Sequence, residues 1–187
     1  MGASEGRHVG ADELAAGEPH VLGAPSAAGR VEMIVRRPSP GAREVVESAE
    51  LVEGAGVVGD DYLVRGSRET ADGGPHPEAQ VTLMSARAVD LVSGGDRGRW
   101  ALAGDQLLVE LDLSRSNLPT GSRLAVGGAV VEVTAKPHRG CAKFRDRFGV
   151  YAARWVNSSD EHRHRGINAA VVHGGSVRVG DPVVPLR

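Results

Sequence analysis

The chain has 187 residues, 41% of them hydrophobic and 25% charged, with a formal net charge of −2. That length suits one well-cored domain and is short for two. The slightly acidic balance gives no support for nucleic-acid binding, the single cysteine excludes an internal disulfide framework, and no apolar run approaches membrane-spanning length. The opening residues lack the basic-then-apolar pattern of a secretory leader, so the chain reads as cytoplasmic. Aromatic residues make up only 3%, which leaves the core to Val, Leu, Ile and Ala, and 26 glycines imply many turns.

Residues 1–29 are rich in Ala, Gly, Pro and Glu without a stable period. They read as a flexible N-terminal extension, with the folded domain at 30–187. Val31 to Arg36 alternates as a strand and is broken by Pro38-Ser39-Pro40-Gly41. Arg43 to Val52 predicts a second strand. Glycines from Gly54 to Gly59 give a tight path that ends in Asp60. Leu63 to Ala79 has little periodicity and predicts a loop serving as a lid or rim. Gln80 to Met84 is a strand, Ser85 is placed to cap a helix running to Val92, and Ser93-Gly94-Gly95 stops it. Gly104 to Leu111 is a strong strand. Arg123–Val126 and Ala129–Thr134 flank Gly127-Gly128 as a hairpin. Phe144 to Val156 has helical spacing, with Gly149 as its weak point. Gly166–Val172 is a strand, turned at 173–175 into Ser176–Val179, and residues 180–184 form a last turn and apolar segment. Many short strands with few helices indicate a mainly β barrel or sandwich.

The chemistry concentrates in Pro137-His138-Arg139-Gly140-Cys141-Ala142-Lys143-Phe144-Arg145-Asp146-Arg147-Phe148-Gly149, which holds the only cysteine. Arg139, Lys143, Arg145 and Arg147 surround Cys141, and His138 precedes it by three positions. Cations beside a thiol favour the thiolate, which is a nucleophile, a persulfide carrier or a soft metal ligand. From Lys136 to Arg165 there are eight Lys/Arg against three Asp/Glu, a local +5 in a chain that is −2 overall. A basic island on an acidic protein suits a small anionic ligand. Two bland readings stand beside this one: Cys141 as a small buried hydrophobe, and the arginines as a solvated helix start. His138 is a candidate ligand-orienting or proton-shuttling group, whereas His162 and His164 read as solvated loop residues. Asp60, Gln80, Asp105 and Asn168 fall at strand ends, where they either line the mouth of the fold or form turns.

Seven stretches resemble, in order, the MOSC-domain family, named after the C-terminal domain of molybdenum cofactor sulfurase. They are G-V-V-G-D (56–60), Q-V-T-L-M (80–84), A-G-D-Q-L-L-V-E-L-D-L-S (103–114), N-L-P-T-G-S-R-L (117–124), P-H-R-G-C-A-K-F-R-D-R-F-G (137–149), R-G-I-N-A-A-V-V (165–172) and V-R-V-G-D-P-V (177–183). The resemblance implies a mainly β fold with a closed MOSC-type barrel and a few short helices. It places Cys141 at the family's signature cysteine, as catalytic residue and ligand to the metal of a molybdenum cofactor (molybdopterin), with His138 beside it. Arg139, Lys143, Arg145, Arg147, Arg165 and Asn168 are then candidates for holding the cofactor, and Asp60, Gln80 and Asp105 for lining a substrate pocket. The implied activity is reduction of small N-hydroxylated substrates. No ferredoxin-like cysteine cluster is present, so electrons would come from a separate donor protein. Two further readings stay open: a metal-free enzyme using Cys141 as persulfide carrier or nucleophile, and a non-catalytic cofactor carrier.

Overall fold

The short valine- and leucine-rich runs separated by glycine turns form a closed barrel. The computed structural model describes residues 7–186. The strands are β1 (Gly29–Arg36), β2 (Glu44–Val46), β3 (Ser48–Val52), β4 (Gly56–Val57), β5 (Val81–Ser85), β6 (Leu107–Val109), β7 (Arg123–Val126), β8 (Ala129–Val133), β9 (Ile167–His173), β10 (Gly175–Arg178) and β11 (Pro182–Leu186). The α-helices are α1 (Ala11–Leu22), α2 (Tyr62–Arg65), α3 (Ala86–Val92), α4 (Ala142–Phe148) and α5 (Val150–Val156). Seven strands close in the order β1-β11-β7-β8-β9-β5-β6 and back to β1, with β2 added on β1 and a small β10-β3-β4 sheet beside them. The β5–β6 pair is parallel, because the chain leaves β5 through α3 and a 3-10 turn at Arg97–Ala103 before it re-enters.

Strand alternation divides the apolar residues into two cores. Val31, Ile34, Leu83, Leu107, Val109, Leu124, Val131 and Ile167 fill the barrel interior. Their neighbours Met33, Val35, Met84 and Leu108 point outward and meet Leu14, Val89, Phe144, Phe148 and Trp155 from the helices. Strands β1, β5 and β6 are therefore apolar on both faces, as covered strands must be. This helical layer is what carries the cysteine loop onto the barrel wall.

Several expectations change in the structure. The loose extension expected at 1–29 is, over its described part, the ordered helix α1, with Val9, Leu14 and Val21 buried against α3 and α5. The first six positions of that stretch lie outside the described residues. The single strand expected at 43–52 is two, because β2 joins β1 while β3 pairs with β10. The long strand expected from Gly104 shortens to β6, and the turn before it holds Asp105 and Gln106, both buried. The helix expected at 144–156 breaks into α4 and α5 at Gly149, whose φ of 91° no side chain adopts readily. Ser85 stands at the start of α3, but its side chain makes no capping bond. The Gly127-Gly128 hairpin is present as read, with Val126 opposite Ala129.

Candidate functional site

Three elements converge on one buried carboxylate. Asp105 lies in the turn before β6, His138 in the loop from β8 to α4, and Arg165 just before β9. His138 Nε2 is 2.7 Å from Asp105 Oδ1, and Arg165 Nη1 donates to Oδ2, so both oxygens are engaged. Arg165 also donates to the Ala103 carbonyl at 3.1 Å and lies over the Phe144 ring at 5.0 Å. Burial by itself would raise the Asp105 pKa. The Arg165 cation, followed by His138, outweighs it and holds the carboxyl well below the ordinary carboxylate range. Burial, and then the same Arg165 cation, push the His138 imidazolium down further than Asp105 lifts it. His138 is therefore neutral near pH 7. An ionised Asp105 only accepts hydrogen bonds, so Nε2 carries the ring proton and Nδ1 keeps its lone pair.

The cysteine loop is anchored along its whole length. Thr134 Oγ1 donates to the Glu78 carbonyl at 2.7 Å. Asn168 Nδ2 donates to the carbonyls of Lys136 and Pro137, both at 3.2 Å. Asn157 clamps Gly140 from both sides, accepting from its N–H at 2.9 Å and donating to its carbonyl at 3.1 Å. Cys141 then opens α4 with its side chain exposed. Lys136 pairs with Glu69, which ties the expected rim loop at 63–79 to this segment.

Beside the loop lies a small cleft of about 40 Å³ whose lining includes Arg115, Lys136, His138, Arg139, Arg163 and Asn168. Asp160 is the only acid in its wall, and it pairs with Arg139 at 2.7 Å. Lys136 is paired with Glu69 and Arg139 with Asp160, so Arg115 and Arg163 leave the lining net positive, with a neutral imidazole on its wall. Asn157, Arg115 and Arg163 were not singled out in the sequence. Asn157 follows α5 with no motif around it, and Arg115 is far along the chain from the basic island.

The other predicted residues divide clearly. Lys143 and Arg145 are exposed on α4, Lys143 without an ion-pair partner among the described residues and Arg145 3.6 Å from Asp146. Arg147 turns back and donates to the Leu102 carbonyl at 2.7 Å. Arg165 is turned inward onto Asp105 instead of toward the cleft surface. Asp60 and Gln80 do not line the cleft. Asp60 holds Arg37 through Nε and Nη2, both at 2.9 Å. Gln80 stitches Gly54, Val171 and Pro77 together through backbone bonds of 3.0–3.1 Å. His162 is exposed as read, but His164 is buried: it stacks on Trp155 at 4.2 Å and bonds Glu18 of α1 at 2.8 Å. The solvated reading of His164 fails because α1, absent from the expected fold, covers it.

No helix among the described residues is long and apolar enough to cross a membrane. No curated protein matches the chain. Among solved structures, the YuaD protein from Bacillus subtilis is similar at a TM-score of 0.60 and 17% identity, over 83% of this chain and 94% of that one. YiiM from Escherichia coli is similar at a TM-score of 0.54 and 18% identity, over 84% of this chain and 70% of that one. At such identities the likeness is one of fold. The MOSC domain family model matches residues 70–184, a span that holds the Asp105–His138–Arg165 cluster, the clamped loop and Cys141. The chain belongs to the MOSC-domain family.

Proposed function

We propose that this protein binds a molybdenum cofactor through Cys141 and works as an oxidoreductase on small N-hydroxylated or related substrates. The observation that carries the reading is the setting of the single cysteine. A free cysteine is usually buried, yet Cys141 is exposed at the end of a loop held by Asn157, Asn168 and the Asp105–His138 pair. The residues fit the group: an exposed thiol suits a soft metal ligand position, and the cations of the cleft and of α4 suit the anionic remainder of a phosphorylated pterin.

When bound, that group supplies a two-electron redox centre. The chain's own residues do the rest. Cys141 offers one sulfur donor as thiolate. Lys143, Arg139 and Arg163 offer hydrogen bonds to an anion, and the clamped loop fixes where the thiol stands. His138 lines the cleft, and Asp105 keeps its ring oriented with Nδ1 as the unprotonated nitrogen. Reducing a hydroxylamine to an amine consumes two electrons and two protons and releases water. The electrons come from a separate electron-donor protein, and a neutral histidine is suited to relay a proton.

The test is elemental analysis and pterin extraction on wild-type and Cys141→Ser protein, purified from a host that makes the cofactor. The expected result is molybdenum close to one per chain, lost in the variant, with stability changed by no more than about 0.5 kcal/mol because the side chain is exposed. Absence of metal and pterin from both proteins would overturn the reading. The same exposure favours a second reading, a metal-free persulfide carrier, in which the Cys141 thiolate takes sulfur from a sulfane-sulfur donor that leaves in its reduced form; it predicts a mass gain of one sulfur on Cys141 without metal.

A further inference from the structure

The buried imidazole of His164 is bonded through one nitrogen only. Its Nε2 lies 2.8 Å from Glu18 Oε1, and a carboxylate accepts, so Nε2 carries the ring proton and Nδ1 keeps its lone pair. That Nδ1 is buried with no hydrogen-bond partner among the described residues. The residue is 2% exposed and its ring is stacked on Trp155, which holds the free nitrogen away from bulk water. A buried acceptor without a partner is costly, and native proteins keep few of them. Burial lowers the His164 pKa further than Glu18 raises it, so the ring is the neutral form that ligates metals.

His164 also lines a cavity of about 20 Å³ together with His162, Ser85, Asp112 and Arg163. That is room for one water or one ion. Ser85 Oγ is likewise buried without a partner, so two residues of the same wall carry an orphaned polar atom. The His162 ring is exposed, and its centre is 5.5 Å from that of His164. Two imidazoles on one tetrahedral ion, each bound at about 2.0–2.1 Å, hold their ring centres about 5 Å apart. Charge agrees with geometry. Asp112 offsets Arg163, whose Nη1 is turned to the Leu118 carbonyl at 2.6 Å, and Glu18 adds a negative charge behind His164. A carboxylate that holds the far N–H of an imidazole is the usual support of a metal-ligating histidine.

We propose that His162 and His164 form a two-histidine site for a divalent transition-metal ion of the zinc class, with His164 Nδ1 as the inner ligand. No three His, Cys, Asp or Glu side chains among the described residues are placed to hold an ion together, so water completes the shell. Through Glu18, such an ion ties the loop before β9 to α1. The site does not depend on what Cys141 holds.

The test uses the full chain, stripped with a chelator and titrated with Zn²⁺ in competition with a chromophoric chelator. The proteins are wild type, His162→Gln, His164→Phe, Glu18→Gln and, as a remote control, His173→Gln, each also made with Cys141→Ser so that the exposed thiol does not compete for zinc. One zinc per chain is expected in Cys141→Ser. Its affinity is expected to fall at least tenfold in His162→Gln and in His164→Phe, roughly tenfold in Glu18→Gln, and to stay unchanged in His173→Gln. Bound zinc is also expected to raise the Tm by mass action. His164→Phe disturbs the contact with α1, but His162 is exposed, so His162→Gln reads the site in an otherwise intact fold. A merely structural His164 would change the Tm of its variant and leave zinc affinity independent of His162. No zinc in Cys141→Ser, or equal affinity with and without His162→Gln, would overturn the proposal. Molybdenum content follows Cys141 and zinc affinity follows His162, so the two readings fail separately.

Discussion

Asp105 and Arg165 are 1% and 6% exposed, with both carboxylate oxygens bonded, whereas Lys143 and Arg145 stand exposed on α4 a few residues beyond Cys141. The two halves of the site therefore handle charge in opposite ways. The inner half neutralises itself within the protein and sets the orientation of His138. The outer half leaves cations in water, where they add little to stability and are free to meet a ligand. The difference teaches where mutations will speak: inner changes should appear as stability, outer changes as ligand retention.

The largest expected effect comes from breaking the inner half. Asp105→Asn leaves the Arg165 charge buried without its partner and should cost about 3–5 kcal/mol, read from the chemical denaturation midpoint. Removing both charges with Asp105→Leu and Arg165→Met should cost much less than Asp105→Asn, since no orphan charge remains. A double variant no more stable than the single one would show that the cluster matters through packing rather than charge.

A smaller effect comes from acid. The folded pKa values of His138 and His164 both lie below the ordinary histidine value, through burial in each case. A depressed pKa gives stability that is present above the unfolded value and lost as pH falls through the folded one. Stability should therefore decline as pH drops below about 6.5, by no more than about 1.4 kcal/mol per pH unit for each histidine. His164→Phe keeps a ring on Trp155 but cannot take up a proton, so it should flatten that slope. It should also loosen α1, which loses the bond from Glu18, and protease cleavage near residues 11–22 would report this. An unchanged slope would remove His164 from the acid response.

The smallest stability effect belongs to the outer half. Lys143→Ala and Arg145→Ala should each change folding stability by less than about 0.5 kcal/mol, while lowering the amount of pterin or anion retained on purification. A stability loss like that of Asp105→Asn would erase the contrast between the halves.

The barrel was readable in the sequence because its strands keep period-two alternation between glycine turns, and the Cys141 neighbourhood because its cations lie close together in the chain. The inner cluster was only partly readable. Asp105, His138 and Arg165 appeared as separate candidates, but they come from three elements far apart in sequence, and nothing local pairs them. Helix α1 was missed for a different reason. Its contact with α3 runs through Gly17, where an added Cβ would meet a Leu91 methyl at 2.4 Å, so close approach by a small residue replaces the apolar stripe that signals an amphipathic helix. Pro19 within the helix further obscured it.

The seam between β1 and β11 has a consequence for how the protein is made. Gly29 pairs opposite Val183, so closure joins positions roughly 150 apart and gives the fold a high contact order. During synthesis β1 leaves the ribosome long before β11 exists. Until then β1 and β7 keep a free edge, and the nascent chain is exposed to strand-to-strand aggregation. His138 and Arg165 also emerge well after Asp105, so the buried carboxylate must wait for its partners. Slow folding limited by closure, and a dependence of soluble yield on translation rate or chaperone supply, follow from that one seam.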